Sequence, residues 1–134
     1  TYSVSADGDE QITGFYLPGE LLGLDSINDN KHPCTAKTLE TTSLCEIPFA
    51  NLEDIVVQIP GLGRQLMRIM SRELKHEDQA LGLLVNKSAE IRLASFILNL
   101  AQRYKERGYS SIEFNLSMSR NDIANYLGLA VETV

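Results

Sequence analysis

Tryptophan is absent from this 134-residue chain, cysteine occurs twice and proline four times, and no long apolar run interrupts it. Each shortage excludes something. Two cysteines, Cys34 and Cys45, cannot staple a small secreted fold, so no disulfide framework is expected and a reducing cytoplasm is the default setting. Without a run of about eighteen apolar residues, no segment reads as a membrane span. No charged-then-apolar leader opens the chain, so no signal peptide is expected. Thr1 in place of Met, and Val134 inside a helical pattern, predict a chain that starts and stops within a longer protein. Catalytic signals are also missing. His32 and His76 lie far apart, with no metal spacing, no nucleophile motif and no glycine-rich phosphate loop, so the expectation is not an enzyme.

The net charge of −6 argues mildly against a nucleic-acid partner, but its distribution does not. Residues 1–85 carry six basic and thirteen acidic side chains, a balance of −7, whereas residues 86–134 carry six and five, a balance of +1. Acid is therefore concentrated away from the C-terminal part, where repulsion of phosphates would matter most. Arg92, Arg103, Lys105, Arg107 and Arg120 can serve phosphates or simply keep a helix surface solvated.

Three parts follow one another along the chain. Residues 1–59 alternate turn signals (Asp7-Gly8-Asp9, Pro18-Gly19, Asn28-Asp29-Asn30, His32-Pro33) with short apolar runs at Ile12 to Leu17, Leu21 to Leu24 and Leu44 to Phe49. Cys45, Ile47 and Phe49 alternate as one face of a strand would. A small antiparallel roll is the expectation. Residues 60–85 change to helical spacing after Pro60-Gly61, with a helix predicted from Leu62 to about Val85. One stripe of it is Leu62, Leu66 and Ile69. The other is Met67, Met70, Leu74, Glu77, Leu81 and Leu84, in steps of three and four. That second stripe is an a/d seam with one charge in it, and it predicts a homodimer. In a symmetric parallel pair Glu77 would meet its own copy, and two carboxylates there repel, which predicts a weak dimer. The alternative keeps Glu77 tilted outward and hydrated.

Residues 86–134 hold an amphipathic helix over 89–107, with Ile91, Ala94, Phe96, Ile97 and Leu100 as its apolar positions and Gly108 ending it. Ile112 to Leu116 alternates like a short strand. Then comes Ser117-Met-Ser-Arg-Asn-Asp-Ile-Ala-Asn-Tyr-Leu-Gly-Leu-Ala-Val-Glu-Thr-Val134. Ser119 is a good N-cap and Asp122 stands where a capping-box partner belongs. Ile123, Ala124 and Leu127 share a face, and Gly128 falls where the chain must turn sharply. Leu129, Val131 and Val134 supply the apolar face of a second helix. Such a helix-turn-helix places its second helix in the DNA major groove.

This last stretch, with Gln11-Ile-Thr-Gly-Phe-Tyr-Leu-Pro-Gly-Glu-Leu-Leu-Gly-Leu-Asp25 and Thr41-Thr-Ser-Leu-Cys-Glu-Ile-Pro-Phe49, resembles the Crp–Fnr family of bacterial transcription regulators along the whole chain, and within it the oxygen-sensing Fnr type. The resemblance implies an α+β fold: a jelly roll of the cyclic-nucleotide-binding kind, a long dimerisation helix and a truncated winged helix-turn-helix domain. It implies a [4Fe–4S] cluster with Cys45 as one ligand and the others upstream; Cys34 matches no ligand. It implies DNA-binding roles for Glu132, Arg120 and Thr133, with Glu132 reading a base. It also implies RNA polymerase contacts near Gly8 and Asp9 and near Tyr104, Arg107 and Tyr109. Two departures stand out. Ala130 replaces the usual Ser or Thr before the second helix, a lost N-cap worth about 1 kcal/mol. His32-Pro-Cys-Thr-Ala36 lacks the arginine a cyclic-nucleotide phosphate needs, and Leu24-Asp25 replaces the expected Glu-Leu, so an inactive nucleotide site is expected. The alternative is a Crp-like regulator answering a different small ligand.

Overall fold

A computed structural model describes residues 1–84 and 87–134, excluding the side chains of 76, 79–81, 83 and 84. The chain forms two compact units, residues 1–40 with 83–134 and residues 41–82. Among the described residues they hold a small antiparallel sheet and four helices, an α+β fold.

In the first unit β1 (Tyr2–Val4) pairs antiparallel with β2 (Glu10–Ile12), in the register Tyr2 opposite Ile12. The intervening turn closes through Gly8 N–H to Ser5 O at 3.0 Å. Thr35 forms an isolated bridge to the outer side of Tyr2. Helix α3 (Ala89–Glu106) starts at Ser88, whose hydroxyl accepts the Ile91 N–H. Its inward face is Leu93, Phe96, Ile97, Leu100 and Tyr104, steps of three and four that sum to a helical stripe. Helix α4 (Arg120–Leu127) crosses this face with Ile123, Ala124 and Leu127 buried. The core is Leu17, Phe96, Leu100, Ile123 and Leu127, and the Phe15, Phe96 and Tyr126 rings meet over it at centroid distances of 5.2–5.8 Å.

The second unit is a helical hairpin. Helix α1 (Phe49–Gln58) half-buries Phe49, Leu52 and Val56; helix α2 (Pro60–Leu84) half-buries Leu62, Leu66 and Ile69. The helices approach closely at Gly63, where a Cβ would stand 2.9 Å from Val56 Cγ1.

Several expectations need correction. Among the described residues the only paired strands are β1 and β2, with Thr35 as a bridge, rather than a roll. Leu21 to Leu24 forms no strand and leads into a 3₁₀ turn, Leu24–Ser26. Residues 41–48 are irregular, and Phe49 opens α1 instead of closing a strand. Alternation gives a strand only where a second edge receives its N–H and C=O groups. Pro48 instead caps α1, its carbonyl accepting the Asn51 and Leu52 N–H groups. Ile112 to Leu116 is likewise no strand, because the Ser110 hydroxyl takes the N–H groups of Ile112 and Glu113 into a local turn. Ile91 and Ala94, expected to be apolar contacts of α3, are exposed, and Leu93 takes their place.

Candidate nucleic-acid interface

Local chemistry builds the helix-turn-helix. The Ser119 hydroxyl accepts the Asp122 N–H at 3.1 Å, and the Asp122 carboxylate accepts the Ser119 N–H at 2.8 Å. This capping box satisfies two backbone donors at once. At the other end the Leu129 N–H reaches Ala124 O at 2.9 Å and the Gly128 N–H reaches Asn125 O at 3.3 Å. These are the paired bonds of a Schellman motif, with Gly128 left-handed at φ 62°. The chain then turns again at Val131–Thr133, closed by Thr133 N–H and Val134 N–H to Ala130 O. Only this turn of the expected second helix is present. Leu129 and Val134 pack on the core, whereas Glu132 and Thr133 face solvent. Arg120, the first residue of α4, is exposed too.

The other arginines proposed for phosphates are engaged. Arg92 Nη1 donates to Leu127 O at 3.1 Å and Gly128 O at 3.4 Å, a cation at the negative end of α4. Arg103 and Arg107 bind Glu20. Burial pushes the Glu20 carboxyl up, but hydrogen bonds from Arg103 and Leu17 N–H and the two positive charges overcome it, so its pKa lies below the usual range. Arg107 is therefore not displayed for a polymerase. Tyr104 is half-buried and stacked on Phe114 at 4.9 Å, with Tyr109 edge-on to it at 6.1 Å. Gly8, Asp9 and Tyr109 are exposed. A contact missed in the sequence is Asn125. Its Nδ2 donates to Glu10 O at 2.8 Å and its Oδ1 accepts the Ile12 N–H at 2.7 Å, tying α4 to β2. A mid-helix Asn, a poor helix former, was the available signal.

Within α2 the stripe read as a seam is open where described. Met67 is 73% and Leu74 64% exposed, and Met70 and Glu77 are exposed too. Leu81 and Leu84 lie outside the described side chains, and Val85 outside the described residues. Cys45 is exposed in the irregular 41–48 stretch. Cys34 is half-buried in the first unit, its thiol 4.0 Å from Asp25 Oδ2. No group of three His, Cys, Asp or Glu among the described residues could hold a metal ion. No helix there is long and apolar enough to cross a membrane.

Residues 116–134 match the family of bacterial regulatory proteins of the crp type, and residues 1–58 match the cyclic nucleotide-binding domain. The whole chain is 55% identical to the transcriptional activator protein Anr of Pseudomonas protegens, covering 55% of that protein. It is 55% identical to the transcriptional activator protein FnrA of Stutzerimonas stutzeri, again over all 134 residues. It is 51% identical to the fumarate and nitrate reduction regulatory protein of Escherichia coli, covering 54% of it. The chain belongs to the Crp–Fnr family, and to its Fnr type. It spans about half the length of these curated relatives. Crp–Fnr proteins are transcription regulators rather than enzymes. Within the match over 1–58 the stretch 32–36 holds no arginine.

Proposed function

We propose that the chain is the central part of an oxygen-responsive, sequence-specific transcription regulator that binds DNA as a homodimer. The observation that carries this reading is the capped α4, the left-handed Gly128 and the exposed Glu132 and Thr133 beyond it. A carboxylate at that position can accept a hydrogen bond from cytosine N4. The relatives named as Fnr and Anr regulators support it. In this reading residues 1–59 belong to part of a sensory domain of the cyclic nucleotide-binding kind, 60–85 to a dimerisation helix and 86–134 to part of a winged helix-turn-helix domain. The protein works in the cytoplasm and engages RNA polymerase through the exposed Gly8, Asp9 and Tyr109. The match of residues 1–58 also favours a second reading, a regulator that answers another small ligand; a cyclic nucleotide is the least suited, for want of the arginine.

The test is Glu132→Ala in the full-length protein. Twofold symmetry makes the operator a near-palindrome. Discrimination at one base pair per half-site should relax by roughly 1–3 kcal/mol, with affinity for other positions kept. Unchanged discrimination in a binding titration across operator variants would remove Glu132 from the reading surface.

Dimerisation rests on the exposed Met67, Met70 and Leu74 stripe with Glu77 beyond it. Symmetry sets Glu77 against its copy, so Glu77→Ala should tighten the dimer by about 1 kcal/mol or more, by relieving the repulsion of two like charges. Sedimentation of the full-length variant measures this. An unchanged dimer constant would make Glu77 a hydrated surface residue.

The [4Fe–4S] cluster is the proposed cofactor, and the residues present fit one corner of it and no more. A cube needs four thiolates. Cys45 is exposed and can reach a group held mostly by residues outside this chain. Bound there, such a cluster supplies an oxygen-labile redox centre.

A further inference from the structure

A buried ion-pair cluster lies at the Leu17–Glu20 turn. Pro18-Gly19, with Gly19 at φ 82°, forms the turn, closed by Glu20 N–H to Leu17 O at 3.1 Å. The Glu20 side chain folds back over it, and its Oε2 accepts the Leu17 N–H at 2.7 Å. The turn thus holds the carboxylate through its own backbone. Both oxygens are then taken by α3. Arg103 binds bidentate, Nε to Oε1 at 2.8 Å and Nη2 to Oε2, and Arg107 Nη2 reaches Oε1 at 2.6 Å. Two further bonds reach the same loop, Arg103 Nη2 to Phe15 O at 2.6 Å and Arg107 Nε to Pro18 O at 3.1 Å, while Arg107 Nη1 stays on α3 at Arg103 O, 2.7 Å away. The Glu20 side chain is only 8% exposed. Leu17, between these anchors, enters the core beside Phe96 and Leu100.

Two arginines one helical turn apart thus grip a single acid that lies 83 residues earlier in the sequence. A surface ion pair would slide with its long side chains and transmit little. A desolvated, bidentate one fixed at both ends has a single geometry. We propose that this turn is a latch that couples the N-terminal segment to the helix-turn-helix. Glu20 holds α3 through Arg103 and Arg107, and α3 carries α4 on its core face. A shift of the N-terminal segment then reaches the reading turn through these side chains as well as along the chain. The consequence for DNA rests on the proposed function; the latch itself does not.

Hydrogen exchange on the full-length protein separates the two. Glu20→Gln keeps the shape but removes the charge and should leave the guanidiniums poorly paired. Exchange at residues 14–20 is expected to rise about tenfold or more, with the α1–α2 hairpin unchanged. Operator affinity should then lose its dependence on the state of the N-terminal segment, read as the ratio between anaerobic and aerated protein. Arg107→Gln keeps the bidentate Arg103 contact, guards against a Glu20→Gln protein that does not fold, and should give a smaller rise of about threefold at the same residues. Unchanged exchange at 14–20, or an equal rise across the whole protein, overturns the latch. A local rise with the affinity ratio intact overturns the coupling while leaving the DNA reading standing. Loss of sequence-specific binding by the unsubstituted protein in both states would instead overturn the DNA reading alone.

Discussion

Phe96→Ala is expected to cost about 3–5 kcal/mol of stability, the range for truncating a buried aromatic side chain. Phe96 is 5% exposed in the centre of α3. Its ring lies 5.8 Å from Phe15 and 5.6 Å from Tyr126, so one substitution removes two ring contacts and opens a cavity among Leu17, Leu100 and Ile123. Aromatic pairs of this geometry add about 0.5–1.5 kcal/mol beyond area burial. Phe15 comes from the N-terminal segment and Tyr126 from α4, so the cavity loosens three parts of the unit together. Stability of a small domain is only about 5–15 kcal/mol, so the unit should lie close to its unfolding threshold. Urea denaturation followed by circular dichroism measures the loss. Ile112→Ala serves as the control: Ile112 is 95% exposed, and its truncation should change stability by under about 0.5 kcal/mol. Equal effects for the two would mean that the core lies elsewhere.

Cys45→Ser should abolish the proposed cluster. Anaerobic full-length protein should show a cluster absorbance band and a brown colour, and the serine variant should show neither. A hydroxyl is a poor ligand for iron where a thiolate is required. Cys34→Ser should retain the band, because Cys34 is half-buried beside Asp25, whereas Cys45 is exposed. Equal loss in both variants would sink the assignment of Cys45. Cys45 is outside the core of either unit, so its substitution should leave helix content unchanged, and circular dichroism separates ligand loss from unfolding.

What the sequence revealed depended on range. Ser119, Asp122 and Gly128 were readable because a capping box and a Schellman turn are made within six residues of chain. The length of α3 was readable from periodicity, and so were Phe96, Ile97 and Leu100 on its inward face; Ile91 and Ala94 were misplaced there, because Ile91 is as apolar as Leu93 and only packing chooses between them. Helix α1 was missed. Cys45-Ile47-Phe49 has the spacing of a strand, and whether it becomes one depends on a partner edge the local pattern does not show. Leu52 and Val56, four apart, and Pro48 at the cap were the signals for a helix instead. Arg92, Arg103 and Arg107 looked alike as solvated or phosphate-binding cations. Their acceptors, the end of α4 and Glu20, stand 35 to 87 residues away in sequence, beyond any local rule.

The Asn125 amide has a consequence for how copies of this chain meet. A two-stranded sheet leaves an unpaired row of backbone groups on each side, an invitation to strands from other molecules. Thr35 occupies the free side of β1 through Tyr2. On the free side of β2, the carbonyl of Glu10 and the N–H of Ile12 are both taken by the Asn125 side chain, whose amide imitates a single peptide unit of a third strand. The hairpin is therefore terminated on both flanks by its own chain. A residue of the helix-turn-helix guards this two-stranded sheet against aggregation.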